Sequence, residues 1–164
     1  MILANSIIIG YGNPDRQDDG LAWHVLVALA ERLGRPLPAG PEEGFLPEDH
    51  DPDLWFVLQL TPEMADDLAH YARLCFVDAH TGDIPEEILL RPVEDSPASS
   101  ALTHHFTPAA SLAVLRSLYR SDPEAVLLSL RGHAFGFSRE LSAEAARLVQ
   151  PAVDAILDWL EGQP

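Results

Sequence analysis

The feature that most constrains this chain is a series of short apolar runs rich in Ile, Val and Leu, separated by stretches whose patterning suits helices. Runs that are apolar at consecutive rather than alternate positions are how strands read when both faces of their sheet are covered. The chain therefore predicts a sheet sandwiched between helices, in the order β, α, β, α, β, β, α, β, α. The predicted strands are Ser6 to Gly10, Leu54 to Leu60, Leu74 to Asp78, Glu87 to Pro92 and Ala125 to Leu130. Together they make a three-layer α/β/α domain with a central, mostly parallel five-stranded sheet and helices on both faces.

The helix boundaries have their own signals. Asp18 or Asp19 suits the cap of a helix that runs to Leu33, with Gly34 as its stop. Thr61-Pro62-Glu63 starts a second helix, with Thr61 as cap and Pro62 at the first position, where its missing N–H costs nothing. Thr107-Pro108 repeats the device before a helix to about Tyr119. Ser142 caps a C-terminal helix through Glu161, which Pro151 is expected to kink or divide. Between the first helix and the second strand, Arg35 to Asp53 holds five prolines and six acids and reads as a long loop. The whole of residues 1–164 is expected to be one domain.

Charge narrows the partners. The formal net charge is −16 and every basic residue is arginine, with no basic cluster, so nucleic acid and anionic membranes are disfavoured and a cationic or metal-bearing partner fits. The opening residues show no charged segment followed by an apolar leader, and no apolar run approaches the roughly 20 residues that span a bilayer. A cytoplasmic protein without membrane insertion is expected. Cys75, the single cysteine, lies in an apolar run and is expected to be buried and inert.

Three features follow or precede elements at what should be one rim of the sheet: Asp18-Asp19-Gly20, Asp78 within Val77-Asp78-Ala79-His80, and His104-His105. Ligands of such sheets bind at the carboxyl ends of the strands. Two carboxylates with an imidazole suit a divalent metal, and nickel and zinc both fit that donor set. The same acids also suit helix capping or a turn, and the histidines also suit an exposed loop. The turn Gly10-Tyr11-Gly12-Asn13 is not a dinucleotide fingerprint, because Asp15 stands where the third glycine belongs and the acids repel phosphate. A phosphate-binding P-loop is excluded by the absence of lysine. Neither an H-E-x-x-H helix nor a G-x-S-x-G elbow is present, and no conventional nucleophile stands out.

The eleven residues Gly10-Tyr11-Gly12-Asn13-Pro14-Asp15-Arg16-Gln17-Asp18-Asp19-Gly20 resemble the opening G-x-G-N-x-x-x-x-D-[DE]-G signature of the hydrogenase maturation proteases. The resemblance continues through Gln59-Leu60-Thr61-Pro62-Glu63, Val77-Asp78-Ala79, Thr103-His104-His105-Phe106-Thr107-Pro108 and Leu141-Ser142, and so covers nearly the whole chain in order. It implies a phosphorylase/hydrolase-like fold and an endopeptidase that removes the C-terminal extension of a nickel-loaded [NiFe] hydrogenase large-subunit precursor. The nickel would arrive with that substrate, and zinc or cadmium would fit the same site. Carried over, the residues that recognise nickel are Asp19, Asp78 and His104, with His105 and His80 as rivals. Gly10, Gly12, Asn13 and Gly20 shape the turn. Asp18, Asp19 and Asp78 are the catalytic candidates, with Asp18 as proton acceptor or as support behind the metal ligands. Asp15 and Gln17 depart from the signature, standing where an aliphatic residue and a small glycine are common. Two other readings fit the sequence: a non-catalytic nickel checkpoint or assembly chaperone for the subunit, and a small-molecule hydrolase or nucleotide binder.

Overall fold

The computed structural model describes residues 5–94 and 106–162. Its strands are β1 (Ser6–Tyr11), β2 (Asp53–Val57), β3 (Arg73–His80), β4 (Ile88–Pro92) and β5 (Glu124–Arg131). They form one five-stranded sheet in the order β2-β1-β3-β5-β4, with β4 antiparallel at one edge and every other pair parallel. The helices are α1 (Leu21–Arg32), α2 (Ala65–Leu68), α3 (Pro108–Leu118), α4 (Ala143–Ala146) and α5 (Val149–Glu161).

Alternation along β1 shows why the apolar runs are continuous. Ile8 faces α1 and α5, where it joins Leu26, Leu29, Val153 and Ile156, while Ile7 and Ile9 face α2 and α3 and meet Leu68, Leu112 and Leu115. Each face of the sheet thus has its own core and the three layers close around it. Cys75 lies in the first of these cores, fully buried, and burial pushes its thiol up to about 12 despite nearby Arg73, so the inert thiol expected of it is what the fold produces.

The strand ends differ from the sequence expectation where pairing decides them. β2 stops at Val57, paired with Tyr11, and leaves Leu58 exposed at the rim. β3 runs on to His80 because β5 continues beside it to Arg131. The second helix is broken into a 3-10 turn (Pro62–Met64) and the short α2, and Thr61 makes no side-chain cap. Thr107 does cap, accepting from Ala110 N at 3.1 Å. The C-terminal segment is divided before Pro151 rather than at it. Pro151 falls in the first turn of α5, where an N–H would have no helical partner.

The Arg35 to Asp53 loop carries no helix or strand before β2, yet it is pinned at several points. Asp53 is buried; its Oδ1 accepts from Glu48 N at 3.1 Å and His50 N at 2.9 Å, and its Oδ2 accepts from the Tyr71 hydroxyl at 2.5 Å. Phe45 packs on Trp23 of α1 with ring centroids 5.3 Å apart. Asp53→Ala would leave two amide donors and one hydroxyl unpaired, and should lower the unfolding free energy by about 2–4 kcal/mol. Urea denaturation measures the loss, and amide exchange should localise it to residues 45–53.

Candidate functional site

The strand order reverses between β1 and β3: the chain leaves β1 for β2 on one side and returns to β3 on the other. Loops diverge at such a switch point and open a crevice at the carboxyl ends of the strands. Tyr11 closes β1 there, and Asp78 lies near the end of β3 on the same sheet face. Gly10, in register with Phe56 and Val77, is the last fully enclosed position before the turn.

The turn that follows folds back on itself because of two glycines. At Gly12, with φ of 140°, a Cβ would stand 2.1 Å from Asp19 O; at Gly20 it would stand 2.6 Å from Pro14 Cα. Asn13 ties the two ends, its N donating to Asp19 Oδ2 at 2.8 Å and its Oδ1 accepting from Asp15 N at 3.0 Å. The acidic pair then enters a 3-10 turn (Gln17–Gly20) that leads directly into α1.

Asp18 and Asp19 have opposite surroundings. Asp18 is fully buried, and neither it nor Asp19 caps the 3-10 turn or α1. Its carboxylate accepts from His133 N (2.8 Å), Ala134 N (2.9 Å), Ser142 N (2.8 Å) and Ser142 Oγ (2.6 Å). Burial alone would raise its pKa, but these donors outweigh it and hold Asp18 below the usual carboxylate range. A carboxylate so fully occupied and so weakly basic suits the supporting role expected of Asp18 better than that of proton acceptor. Ser142, meanwhile, accepts from Ala145 N at 3.1 Å to cap α4, so one hydroxyl joins the turn to that helix.

Asp78 is the opposite case. Burial is the main cause that pushes it up to about 7, against hydrogen bonds from the Tyr11 hydroxyl and Ala79 N, with further upward contributions from the charges of Asp19 and Asp83. Tyr11 in turn is held well above its ordinary value, chiefly by its own burial and then by the adjacent Asp78. The 3-10 turn that carries Asp19 packs beside β3, which carries Asp78, and the Asp19 charge is felt there.

His80 is engaged elsewhere. Gly82 N donates to its Nδ1 at 3.1 Å, which leaves Nε2 to carry the proton toward Glu86 O at 3.0 Å. The imidazole closes the loop after β3, so it is a poor rival ligand. His104 and His105 lie outside the described residues. Among the described residues, no trio of His, Cys, Asp and Glu stands close enough to hold a metal ion. The oxygen donors of Asp19 and Asp78 fit a divalent cation as part of a larger set.

Sequence reasoning missed the loop after β5. Gln17 N donates to Ser138 O at 2.9 Å, Asp18 N to Ala134 O at 3.0 Å and Ser138 N to Asp15 O at 3.1 Å. Gln17 adopts φ of 50°, the left-handed region that suits glycine, and its side chain accepts from Gly136 N at 2.9 Å. Asp15 pairs with Arg139 at 2.6 Å. Both departures from the signature therefore have partners in the same loop. The signal that could have found it was Gly132, two positions after the predicted strand that ends at Leu130, whose added Cβ would stand 3.0 Å from Asp18 Cβ.

With this geometry described, comparison with solved structures decides the fold. The hydrogenase maturating endopeptidase HybD from E. coli aligns over 95% of this chain and 91% of its own, with a TM-score of 0.68 and 18% identity. The fold is that of the hydrogenase maturation endopeptidases. The [NiFe] hydrogenase maturation protease HybD from Thermococcus kodakarensis aligns over 96% of this chain and 99% of its own (TM-score 0.67, 20% identity). HycI, a [NiFe] hydrogenase maturation protease from the same organism, aligns over 97% and 94% (TM-score 0.65, 18% identity). Compared by sequence, the chain matches no family model and no curated protein.

Asp18 and Asp78 make opposite contributions to stability. Asp18, with its lowered pKa, stabilises the fold fully above the ordinary value of 3.8 and loses that contribution as pH falls through its lower folded value. Asp78, raised to about 7, contributes fully below 3.8 and loses its contribution as pH rises toward 7. Asp18→Ala should cost about 3 kcal/mol at neutral pH. Asp78→Asn should gain stability over the native chain progressively between about pH 4 and 7. Urea midpoints across that range check both; a pH-independent difference for Asp78→Asn would contradict the assignment.

Proposed function

We propose that this chain is an endopeptidase that acts in the cytoplasm on a [NiFe] hydrogenase large-subunit precursor after nickel insertion, removing its C-terminal extension. The observation that carries the reading is a fold shared, over nearly its whole length, with structures named as hydrogenase maturation endopeptidases, with Asp78 near the switch-point end of β3 and the acidic turn packed beside that strand. Among the described residues, no helix is long and apolar enough to cross a membrane, which suits the proposal.

Nickel is here part of the substrate. A precursor that presents it to the crevice offers a cation to two carboxylates, one of which holds its proton to about pH 7. Meeting the cation displaces that proton, so a precursor without metal meets an Asp78 that is only partly ionised near pH 7 and a weaker site. Tyr11 keeps the Asp78 carboxylate oriented into the crevice during the exchange. His104 would complete the donor set, with His105 as alternative, and zinc or cadmium serve as stand-ins for nickel. Asp18 contributes by fixing the turn that carries Asp19.

The test is direct. Purified protein mixed with nickel-loaded precursor should shorten it by one C-terminal segment, read by intact mass. Asp19→Ala and Asp78→Ala should each lower the cleavage rate by about 100-fold or more while the circular dichroism spectrum stays native. Undiminished cleavage by both variants overturns the assignment of these residues. A precursor that binds tightly and keeps its full mass identifies a nickel checkpoint instead.

A further inference from the structure

The loop after β5 does more than accept Asp18. Gln17 N bonds Ser138 O and Gly136 N bonds Gln17 Oε1, both at 2.9 Å, so the two chain neighbours of Phe137 are anchored to one residue of the acidic turn. Arg16 Nε and Nη2 reach Phe135 O at 3.4 and 3.3 Å. The Arg16 guanidinium also lies over the Phe137 ring, 4.9 Å from its centroid. In spite of this, Phe137 is 89% exposed, the most exposed large apolar side chain among the described residues.

An isolated exposed apolar side chain on a surface is ordinary. This one is held by its backbone on both sides, covered on one ring face by a cation and open on the other. Ordering it before binding removes part of the entropy cost that an interface otherwise bears. Aromatic residues, Phe included, and arginine are also enriched in protein interfaces relative to the rest of the surface.

Position selects the occupant. Asp19 N donates to Arg16 O at 3.2 Å, so the platform belongs to the turn that carries the proposed metal-facing carboxylate. A folded protein that brings its metal to Asp19 and Asp78 must lie across this rim. We infer that the Phe137 and Arg16 pair is a docking anchor for the folded body of the precursor. Phe137 would seat in an apolar patch bordered by carbonyl or carboxylate oxygens that meet Arg16. This anchor rests on the reading of the chain as a processing enzyme for a metal-loaded protein, and it is separate from the crevice that meets the metal.

The experiment measures binding and cleavage of the nickel-loaded precursor side by side. Phe137→Ala should weaken precursor binding by about tenfold or more, appearing in KM rather than kcat, and Phe137→Trp should restore most of it. Leu118→Ala is the control, the same kind of truncation at a 75% exposed position at the end of α3. It should leave binding unchanged, and all three variants should keep the native Tm. Precursor binding by Phe137→Ala within about twofold of the native chain overturns the anchor, whatever the cleavage result. A native chain that binds the precursor without shortening it, and loses that binding in Phe137→Ala, overturns the protease reading and upholds the anchor. A native chain that does not bind the precursor overturns both.

Discussion

The site depends on one buried carboxylate. Asp18 receives four hydrogen bonds from His133, Ala134 and Ser142, and so joins three pieces of chain that are far apart in sequence: the turn after β1, the loop after β5 and the start of α4. A buried charge without such partners would cost several kcal/mol, whereas a fully paired one fixes its surroundings in a single arrangement. With Asp18 locked, the neighbouring Asp19 is carried to the rim, and the sheet's switch point supplies Asp78 opposite it.

The three acids show how environment, not residue type, assigns roles. Asp18 has donors on both oxygens and is held below its ordinary pKa; at Asp78 burial outweighs the donors Tyr11 and Ala79, and it is raised to about 7. Asp19 keeps a partly open carboxylate with Asn13 N on one oxygen. Pairs of titratable groups driven in opposite directions are a feature of functional sites, and here the separation arises from the donors that Asp18 meets, which outweigh its burial.

The same turn explains two residues that look out of place in the signature. Gln17 holds a left-handed backbone and Asp15 stands in a position often aliphatic, yet each is matched by the loop after β5, through Gly136 and Arg139. Arg139 also reaches Glu42, so the turn is connected to the long proline-rich loop, which is itself pinned by Asp53 and Phe45. That loop is therefore tied to the domain at several points along its length.

The sequence alone determined the layers. Consecutive apolar positions in β1, β3 and β5 require cover on both faces, and the Thr-Pro and Ser caps set where α3 and the C-terminal segment begin, so the fold class and most boundaries were legible. It also singled out the acidic pair Asp18-Asp19 and Asp78 by their place after apolar runs. What it could not assign was the difference between Asp18 and Asp19, or the engagement of His80 with its own loop. Those outcomes depend on hydrogen-bond donors more than a hundred positions away in the chain for Asp18, and on a local loop closure for His80. Adjacent acids are equivalent as letters; only the folded chain decides which one faces backbone donors in the interior and which one faces the crevice, because burial and partners are properties of three-dimensional surroundings.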